Sequence, residues 1–436
     1  MVQNKTNEFE STAYKRSRWA YTFECAFEYF VSLLVAGAFL AKILTNIGMT
    51  DDLIGIVSSF ISLAFLFQFF SVFVVQKISN TKRFVILFHS IGQLFFMALY
   101  LVPFLPFADG YRQIIACGCI LLAYFGNYFV NSLVYRWGNS YVDNHKRASF
   151  SATKEMISLA SGVIVSLSLG YIMDAFEAAD NLHGAFIFSA IAILIFCICD
   201  FVCLMLIKND IKPKTEKKNS IPMREVWKNT LGKKSFRYVI ILTVLWNVCN
   251  YATIGFLGTY YLKELAFTVG TVQIITIVGH GGRFLLSKPL GRFSDRYSYS
   301  RGIALGMILA AASFLCVIAA TPGTRLVIIG YTLFHSASLA GINQNMLNIT
   351  YSFVEDKYFA QATAIKNSIG GICGFITALI SGRIVAHIQA NGNTVFGIPM
   401  YAQQFLGIIS LLAIAGAFLF NHFVIQKQPM INRDKQ

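Results

Sequence analysis

Charged residues are scarce in this chain. Asp, Glu, Lys and Arg together make up 13% of its 436 residues, and no acid occurs between Asp52 and Asp109. Soluble domains carry about 25% charged residues, and with 56% hydrophobic residues a soluble fold of this sequence would expose large apolar patches. The composition therefore excludes an ordinary soluble protein and predicts an integral membrane protein.

Motifs of enzymes and of ATP-driven pumps are also absent from the sequence. It contains no Gly-rich nucleotide-binding loop, no G-x-S-x-G and no H-E-x-x-H. The nine Cys lie almost all inside apolar runs, which is typical of small buried side chains rather than of disulfides or metal ligands. We expect no enzymatic activity, cofactor or metal, and the lack of a basic patch among aromatics argues against nucleic acid.

Long apolar runs fill most of the chain, and twelve of them are long enough to cross a bilayer. A charged stretch with two Pro separates six runs from six, and we interpret it as a cytoplasmic linker with a surface helix over 223–231. The predicted spans are 19–43, 53–75, 84–105, 113–136, 148–173, 183–206, 238–262, 269–290, 302–320, 325–349, 361–386 and 404–425. The predicted regions are a cytoplasmic segment 1–18, a six-helix bundle 19–206, the linker 207–237, a second bundle 238–425 and a cytoplasmic tail 426–436.

Lys and Arg are distributed unevenly between the two sides of these spans. With the N-terminus placed inside, 27 of the 36 basic residues fall in cytoplasmic segments and three, Arg112, Lys263 and Arg325, fall in external loops. Positively charged loops stay on the cytoplasmic side during insertion. The distribution predicts a multi-pass protein of the plasma (inner) membrane with both termini in the cytoplasm.

The two halves of the chain repeat. Residues 142–178 align without gaps to 354–390 at an offset of 212, with 11 of 37 positions identical. The matches include Lys154 with Lys366 and Gly162 with Gly374, which apolar composition alone does not explain. The equivalent helices point the same way, so the repeat is parallel, about an axis along the membrane normal.

The stretch 280–301 combines an apolar helix with an unusual number of charges. It reads HGGRFLLSKPLGRFSDRYSYSR, and we expect its Gly-rich, basic second half to form a turn after residue 290. The spacing resembles the loop signature of the major facilitator superfamily, G-x-x-x-D-R/K-x-G-R/K-R/K, although Ser298 replaces the second Gly and the closing Arg is one position late. The matching residues are Gly291, Asp295, Arg296 and Arg301.

This resemblance implies an all-α membrane protein of 12 transmembrane helices in two pseudo-symmetric six-helix bundles, the major facilitator fold. It also implies a secondary transporter that works by alternating access. In that fold Asp295 and Arg296 would hold a cytoplasmic gate by contacting the start of the fifth span, where Arg147 lies. Spans 1, 4, 7 and 10 would line the solute cavity.

Two acids lie one turn apart on the first span. Glu24 and Glu28 share a helix face, and Glu28 lies about 14 Å into the bilayer at 1.5 Å per residue. A carboxylate in the membrane is costly and marks a functional site by default. We expect Glu28, and after it Glu24, to carry protons, with a static ion pair between helices as the alternative. His280 is a third candidate because imidazole titrates near neutral pH.

Arg283 is a permanent positive charge inside a predicted span. Two Gly precede it, which allows a solute or another helix to approach closely. It could bind an anionic or hydroxyl-rich solute, or it could pair with Glu28 across the two halves of the chain. We take solute binding as the functional hypothesis and the ion pair as the structural one.

Amides and aromatic side chains gather on the fourth, seventh and tenth spans. Neutral hydrogen-bonding groups beside aromatic faces suit a polar solute, while hydrogen bonds between helices are the structural alternative. The candidate solute-binding residues on these spans are Asn127, Asn131, Trp246, Asn247, Asn250, Asn343 and Gln344. By contrast, we interpret Lys154 and Lys366 as residues that snorkel to the cytoplasmic interface, and Asp200 as structural.

Together these patterns predict a secondary transporter that moves a small polar solute, a sugar or an organic anion, with protons as the coupling ion and the monomer as the working unit. Two alternatives stay open: a drug or metabolite exporter of the same fold, and a membrane sensor or scaffold that does not transport. The amides argue against the mainly apolar cavity of an exporter, and only the stretch 207–237 offers a scaffold a partner surface.

Overall fold

The structure is a computed structural model that describes residues 11–74, 81–142, 147–208, 223–355 and 358–428. Over these ranges the chain is helical almost throughout. The predicted cytoplasmic segments 1–18, 207–237 and 426–436 fall partly outside the described residues, and the side of the membrane on which they lie stays a prediction.

The first half of the chain forms eight α-helices within the described ranges. They are α1 Thr12–Leu34, α2 Gly37–Asn46, α3 Asp51–Ser58, α4 Phe60–Val74, α5 Thr81–Leu99, α6 Asp109–Asn139, α7 Arg147–Ala178 and α8 Leu182–Leu206. A bend of 47° separates α1 from α2. Gly37 stands at this bend with φ at +54°, a backbone conformation that favours glycine.

The second half begins with the short helix α9, Met223–Asn229, close to the surface helix predicted over 223–231. The helices that follow are α10 Lys234–Thr253, α11 Val269–Arg296, α12 Tyr299–Ala319, α13 Ile328–Phe353, α14 Phe359–Ala390 and α15 Ala402–Phe423. Short helical turns over Ile254–Phe256, Leu257–Thr259 and Tyr260–Glu264 continue α10. A small antiparallel hairpin of β1 Thr394–Val395 and β2 Ile398–Pro399 joins α14 to α15.

Ten helices in the described part of the chain are long and apolar enough to cross a membrane, or eleven when the bent pair α1 and α2 counts as one span. The remaining predicted span, 53–75, is covered by the two shorter helices α3 and α4. The chain is therefore an all-α integral membrane protein, consistent with the predicted twelve spans.

The end of α11 differs from the prediction. We expected a turn after residue 290, but α11 continues as helix through Gly291 and Asp295 to Arg296, with Pro289 inside it. Leu290 and Ser294 are buried, and the hydroxyl of Ser294 accepts a hydrogen bond of 2.8 Å from Asn345 of α13. Packing of this last turn against α13 outweighs the local preference of Gly and Pro for a turn.

The internal repeat has a direct counterpart in the fold. Helices α7 and α14 are both 32 residues long, and both ends are related by the offset of 212. A side chain at Gly162 would lie 2.5 Å from the ring of Tyr29, and one at Gly374 would lie 2.5 Å from the ring of Tyr251. The repeated glycines thus serve the same purpose, since each makes room for a tyrosine of another helix.

By contacts, the chain divides into two compact units. The first contains Met1–Met49, Phe70–Lys217 and Thr268–Gly270, and the second contains Thr50–Phe69, Lys218–Phe267 and Thr271–Gln436. This grouping places α3 in the second unit, where Asp51 forms an ion pair with Lys263. The predicted bundles 19–206 and 238–425 group the spans by their order in the chain and not by their contacts. They stay a prediction.

The linker helix α9 is held on the second unit by an apolar cluster and a polar contact. Val226 is buried against Phe236, Val354 and Tyr358. The hydroxyl of Tyr358 donates a hydrogen bond to Glu225 and accepts one of 3.1 Å from the amide of Asn229. Helix α9 is therefore attached to the start of α14.

Candidate functional site

Three titratable side chains meet inside the first unit. Glu24 of α1, His89 of α5 and Asp200 of α8 each place one ligand atom within 4.8 Å of the other two, and all three residues are buried. Nε2 of His89 lies 3.1 Å from Oδ2 of Asp200. Phe196 of α8 packs on Phe27 and Phe30 of α1, which brings α8 against α1 at this level. We call Glu24, His89 and Asp200 the acid–histidine cluster.

The acid–histidine cluster retains unused acceptors. Within the described part of the chain, Oε1 of Glu24 and Oδ1 of Asp200 make no hydrogen bond, although both atoms are buried. A buried acceptor without a partner costs about 1–3 kcal/mol, and more when it is charged. The cluster is therefore suited to take up a small cation, and its two carboxylates and one imidazole could hold either a proton or a metal ion.

A neutral amide pair extends the cluster towards α6. The side-chain amide of Gln93 lies 3.5 Å from Nε2 of His89 and donates a hydrogen bond of 3.3 Å to Oδ1 of Asn127. The predicted residue Asn127 is therefore buried in this network. Its neighbour Asn131, one turn further along α6, is exposed.

A cation approaches Glu24 from the other side. The ammonium of Lys154 on α7 lies 3.2 Å from Sγ of Cys25 and 3.2 Å from the hydroxyl of Tyr21, above the Tyr21 ring at 4.5 Å from its centroid. The thiol of Cys25 donates a hydrogen bond of 3.2 Å to Oε2 of Glu24. Lys154 thus contacts α1 inside the unit, and the expectation that it snorkels to the interface is wrong.

The sequence interpretation named only part of this site. Glu28, our first choice, is half-buried and lies within electrostatic range of His89 and Asp200, but the cluster itself contains Glu24. His89 received no role, and Asp200 was interpreted as structural. Each lies in a mainly apolar stretch of its helix, and the only signal available from the sequence is the cost of placing a titratable group there.

A second group of polar and aromatic residues lies inside the second unit. Nε2 of His335 on α13 lies 2.8 Å from Oδ1 of Asn250 on α10. The rings of Tyr331 and Trp246 both stack on the imidazole, with centroids 5.1 and 6.5 Å away. Asn250 and Trp246 were predicted from the sequence, and His335 was missed. We call these four residues the aromatic–amide group.

The other amides predicted to bind solute have different environments. Asn247 donates to the backbone carbonyl of Thr243 at 3.0 Å, a contact within its own helix. Asn343 is exposed, and the side chain of Gln344 lies outside the described residues. Lys366, the repeat partner of Lys154, is 5% exposed, and no described side chain pairs with it. Snorkelling does not describe Lys366 either, because its side chain is buried.

The predicted residues of α11 lie mainly on its surface. His280 is half-buried and Arg283 is exposed, and a contact of Arg283 with solute stays a prediction. Their proximity to Glu28 stays a prediction, because that residue belongs to the other unit.

The predicted gate residues Gly291, Asp295, Arg296 and Arg301 are all exposed. The guanidinium groups of Arg296 and Arg301 lie 5.6 and 5.8 Å from the ring centroid of Tyr297. Gly291 and Asp295 line a small cavity of about 70 Å³. No ion pair joins Asp295 to Arg296 in the described chain, and the contact of these residues with the start of the fifth span stays a prediction. The side chain of Arg147 is not among those described.

The sequence is similar to known membrane transporters. Residues 23–288 match the profile of the family described as the Major Facilitator Superfamily. The chain is 24% identical over 194 residues to monocarboxylate transporter 6 of Homo sapiens, a match that covers 44% of this chain and 36% of the human protein. The matched region therefore spans about a third of that relative.

Solved structures of transporters have the same fold. A variant of the nucleoside transporter NupG superposes with a TM-score of 0.73 at 13% identity, over 93% of this chain and 99% of the other. A bacterial homologue of the human lysosomal transporter Spinster, in an inward-facing and unoccupied conformation, gives a TM-score of 0.65 at 13% identity, over 96% and 97%. A POT family transporter in complex with 5-aminolevulinic acid gives 0.63 at 13% identity, over 94% and 96%.

Proposed function

Because this chain belongs to the Major Facilitator Superfamily, whose members are transporters and not enzymes, we propose that it moves a small polar solute across the plasma membrane in symport with protons. The single observation that carries the proton coupling is the acid–histidine cluster of Glu24, His89 and Asp200, with its unused carboxylate oxygens.

The cluster can convert proton binding into a change of local charge. Glu24 and Asp200 place two carboxyl groups beside one imidazole, so the charge of the group depends on how many protons it holds. In a buried site with a low dielectric constant, one added proton changes the interaction energies between helices far more than it would in water. Glu24, His89 and Asp200 belong to three helices, and the charge state therefore bears on how α1, α5 and α8 pack.

The link between Lys154 and Glu24 depends on whether Glu24 carries a proton. The ammonium of Lys154 is linked to Glu24 through the thiol of Cys25. When Glu24 takes up a proton it no longer attracts this ammonium, and Lys154 keeps Tyr21, Cys25 and Tyr135 as neighbours. We propose that protonation of Glu24 loosens the contact between α7 and α1, which is a step in the transport cycle.

The solute is held by the second unit in this proposal. Flat aromatic faces at Trp246 and Tyr331, with the amide of Asn250 beside them, suit a small polar organic molecule. Arg283, exposed on α11, adds a guanidinium that can bind a carboxylate through two parallel hydrogen bonds. An organic anion is therefore the first class to test, and the human relative that is named a monocarboxylate transporter supports this choice.

Transport and coupling can be tested together in proteoliposomes. Radiolabelled organic acids, sugars and nucleosides are screened for uptake with and without an inward proton gradient. Glu24→Gln should abolish accumulation against a concentration gradient while it preserves downhill exchange, and Arg283→Lys should weaken binding because a point charge cannot replace the planar guanidinium. Glu177→Gln is the matched control, since it makes the same substitution at an exposed ion pair with Lys42.

Each result has a clear meaning. Concentrative uptake by the Glu24→Gln variant would contradict the assignment of the proton site. Glu28→Gln, measured in the same way, shows which of the two acids carries the proton. Only the variant of the true carrier should lose accumulation against a gradient and keep downhill exchange. Uptake of no solute under any gradient would contradict the transport proposal and favour a sensor or scaffold.

A further inference from the structure

A cavity of about 560 Å³ lies in the second unit, where the end of α14 meets the hairpin and the start of α15. We propose that it binds an anionic phospholipid. The residues that line it are Ile380, Arg383, Ile384, His387, Ile388, Asn391, Thr394, Val395, Phe396 and Phe405. None of them belongs to the acid–histidine cluster or to the aromatic–amide group.

The polar side of the cavity is a row of three side chains, Arg383, His387 and Asn391, which we call the ladder. Arg383 and His387 lie one turn apart on one face of α14, and Asn391, the residue directly after the helix, continues the four-residue interval over about 12 Å in all. The amide of Asn391 lies 3.1 Å from Nε2 of His387. A guanidinium next to an imidazole and an amide offers several N–H donors, and phosphate oxygens are the acceptors that such a fork matches best.

The other side of the cavity is apolar and open to the surroundings. Ile380 and Ile384 sit one turn apart on α14, with Phe405 of α15 and Phe396 of the hairpin beside them. Ile380 is 57% exposed and Phe396 is 96% exposed. In water such exposure would be unfavourable, whereas an acyl chain can cover these side chains without cost.

The depth of the charges fits a lipid headgroup. Arg383 lies seven residues before α14 ends at Ala390, which is about 10 Å at 1.5 Å per residue. The long side chain of an Arg at that depth reaches the level of the headgroups. His387 and Asn391 lie closer to the helix end, so the ladder extends from the edge of the hydrocarbon into the interface.

The same combination argues against a soluble anion as the occupant. A soluble anion would use the donors of Arg383 and His387 but would leave Ile380, Ile384 and Phe396 uncovered. A phospholipid uses both sides at once, because its phosphate and its acyl chains belong to one molecule. The negative charge of the headgroup complements the guanidinium, and a zwitterionic lipid carries a positive group that opposes it.

Native mass spectrometry of the full-length protein tests the proposal directly. The protein is purified from mixed micelles that contain equal amounts of phosphatidylglycerol and phosphatidylcholine, and the bound lipid is identified by mass. We expect phosphatidylglycerol to be retained at least fivefold over phosphatidylcholine, and we expect Arg383→Gln with His387→Gln to remove this preference. Arg325→Gln with His183→Gln is the matched control, with the same two substitutions at exposed positions.

Thermal unfolding of the unmodified protein gives a second, independent readout. Phosphatidylglycerol should raise the midpoint of unfolding, and phosphatidylcholine and soluble glycerol phosphate should not. Equal retention of both lipids would overturn the proposal, and so would a double variant that keeps the preference. A midpoint that glycerol phosphate raises as much as phosphatidylglycerol does would show that the cavity takes a soluble anion instead.

Discussion

Nε2 of His89 lies 3.1 Å from Oδ2 of Asp200, and both side chains are 2% exposed. The two residues come from α5 and α8, and Glu24 of α1 completes the cluster around them. The desolvation penalty for burying two acids and an imidazole can exceed the energy that their contact returns, so such a cluster is weak evidence of a stabilising role. We therefore explain the cluster by function, and its energetics lead to the first prediction.

Removal of the imidazole should destabilise the first unit. In the His89→Gln variant, Glu24 and Asp200 remain buried without a cationic partner, which costs about 3–5 kcal/mol when one member of a buried pair is lost. Thermal unfolding in detergent should show a clearly lower midpoint. His183→Gln, at an exposed histidine, should leave it unchanged. Adding Asp200→Asn to His89→Gln should restore most of the loss, and a single variant as stable as the parent would contradict this account.

The repeat-related lysines Lys154 and Lys366 should respond in opposite directions to replacement by Met. Lys154 has contacts with Tyr21 and Cys25 to lose, so Lys154→Met should lower the free energy of unfolding by about 2 kcal/mol. Lys366 is buried with no partner among the described side chains, so Lys366→Met should raise it by about 2 kcal/mol. Chemical denaturation of the two variants measures both effects, and equal losses would show that Lys366 has a partner in the working protein.

The crossing of α5 and α6 depends on glycine at its closest point. A side chain at Gly126 would lie 2.6 Å from the backbone oxygen of Phe88 and 2.8 Å from Cα of Gly92. Since backbone atoms cannot move aside, Gly126→Ala should destabilise the protein by about 1–3 kcal/mol. Gly118→Ala on the same helix meets nothing within 4 Å and should be neutral or stabilising. If both variants unfold at the same midpoint, the close crossing does not exist.

Asp295 should matter for conformational cycling more than for solute binding. It makes no ion pair with a described residue, and its charge is therefore available for a contact in another state of the transport cycle. Loss of such a charge-assisted contact costs about 1.5–3 kcal/mol, enough to shift a two-state equilibrium tenfold or more. Asp295→Asn should lower the transport rate at least fivefold with solute affinity within twofold of the parent. Asp109→Asn, at an exposed acid, is the control, and unchanged transport by Asp295→Asn would refute the gating role.

The course of the helices was largely predictable from the sequence. The predicted span 183–206 differs from α8 by one residue, and the repeat at offset 212 matches both ends of α7 and α14. Apolar runs of spanning length leave the backbone little choice, because every N–H and C=O in the hydrocarbon must be paired within its own helix. The extension of α11 beyond residue 290 was not predictable, since it depends on Asn345 of α13.

The candidate site was likewise predictable from the sequence only in part. The sequence alone determined that an acid on α1, an acid on α8 and a histidine on α5 lie inside apolar helices, where a polar residue is costly, but of these three it assigned a function only to Glu24. Only the tertiary structure decided that Glu24, His89 and Asp200 meet, and that Glu28 stands beside them. The pattern of apolar residues in one segment predicts which of its residues are buried. The partner of a buried polar atom depends instead on how three helices are rotated about their axes. That rotation is set by packing between residues that are 65 and 111 positions apart in the chain.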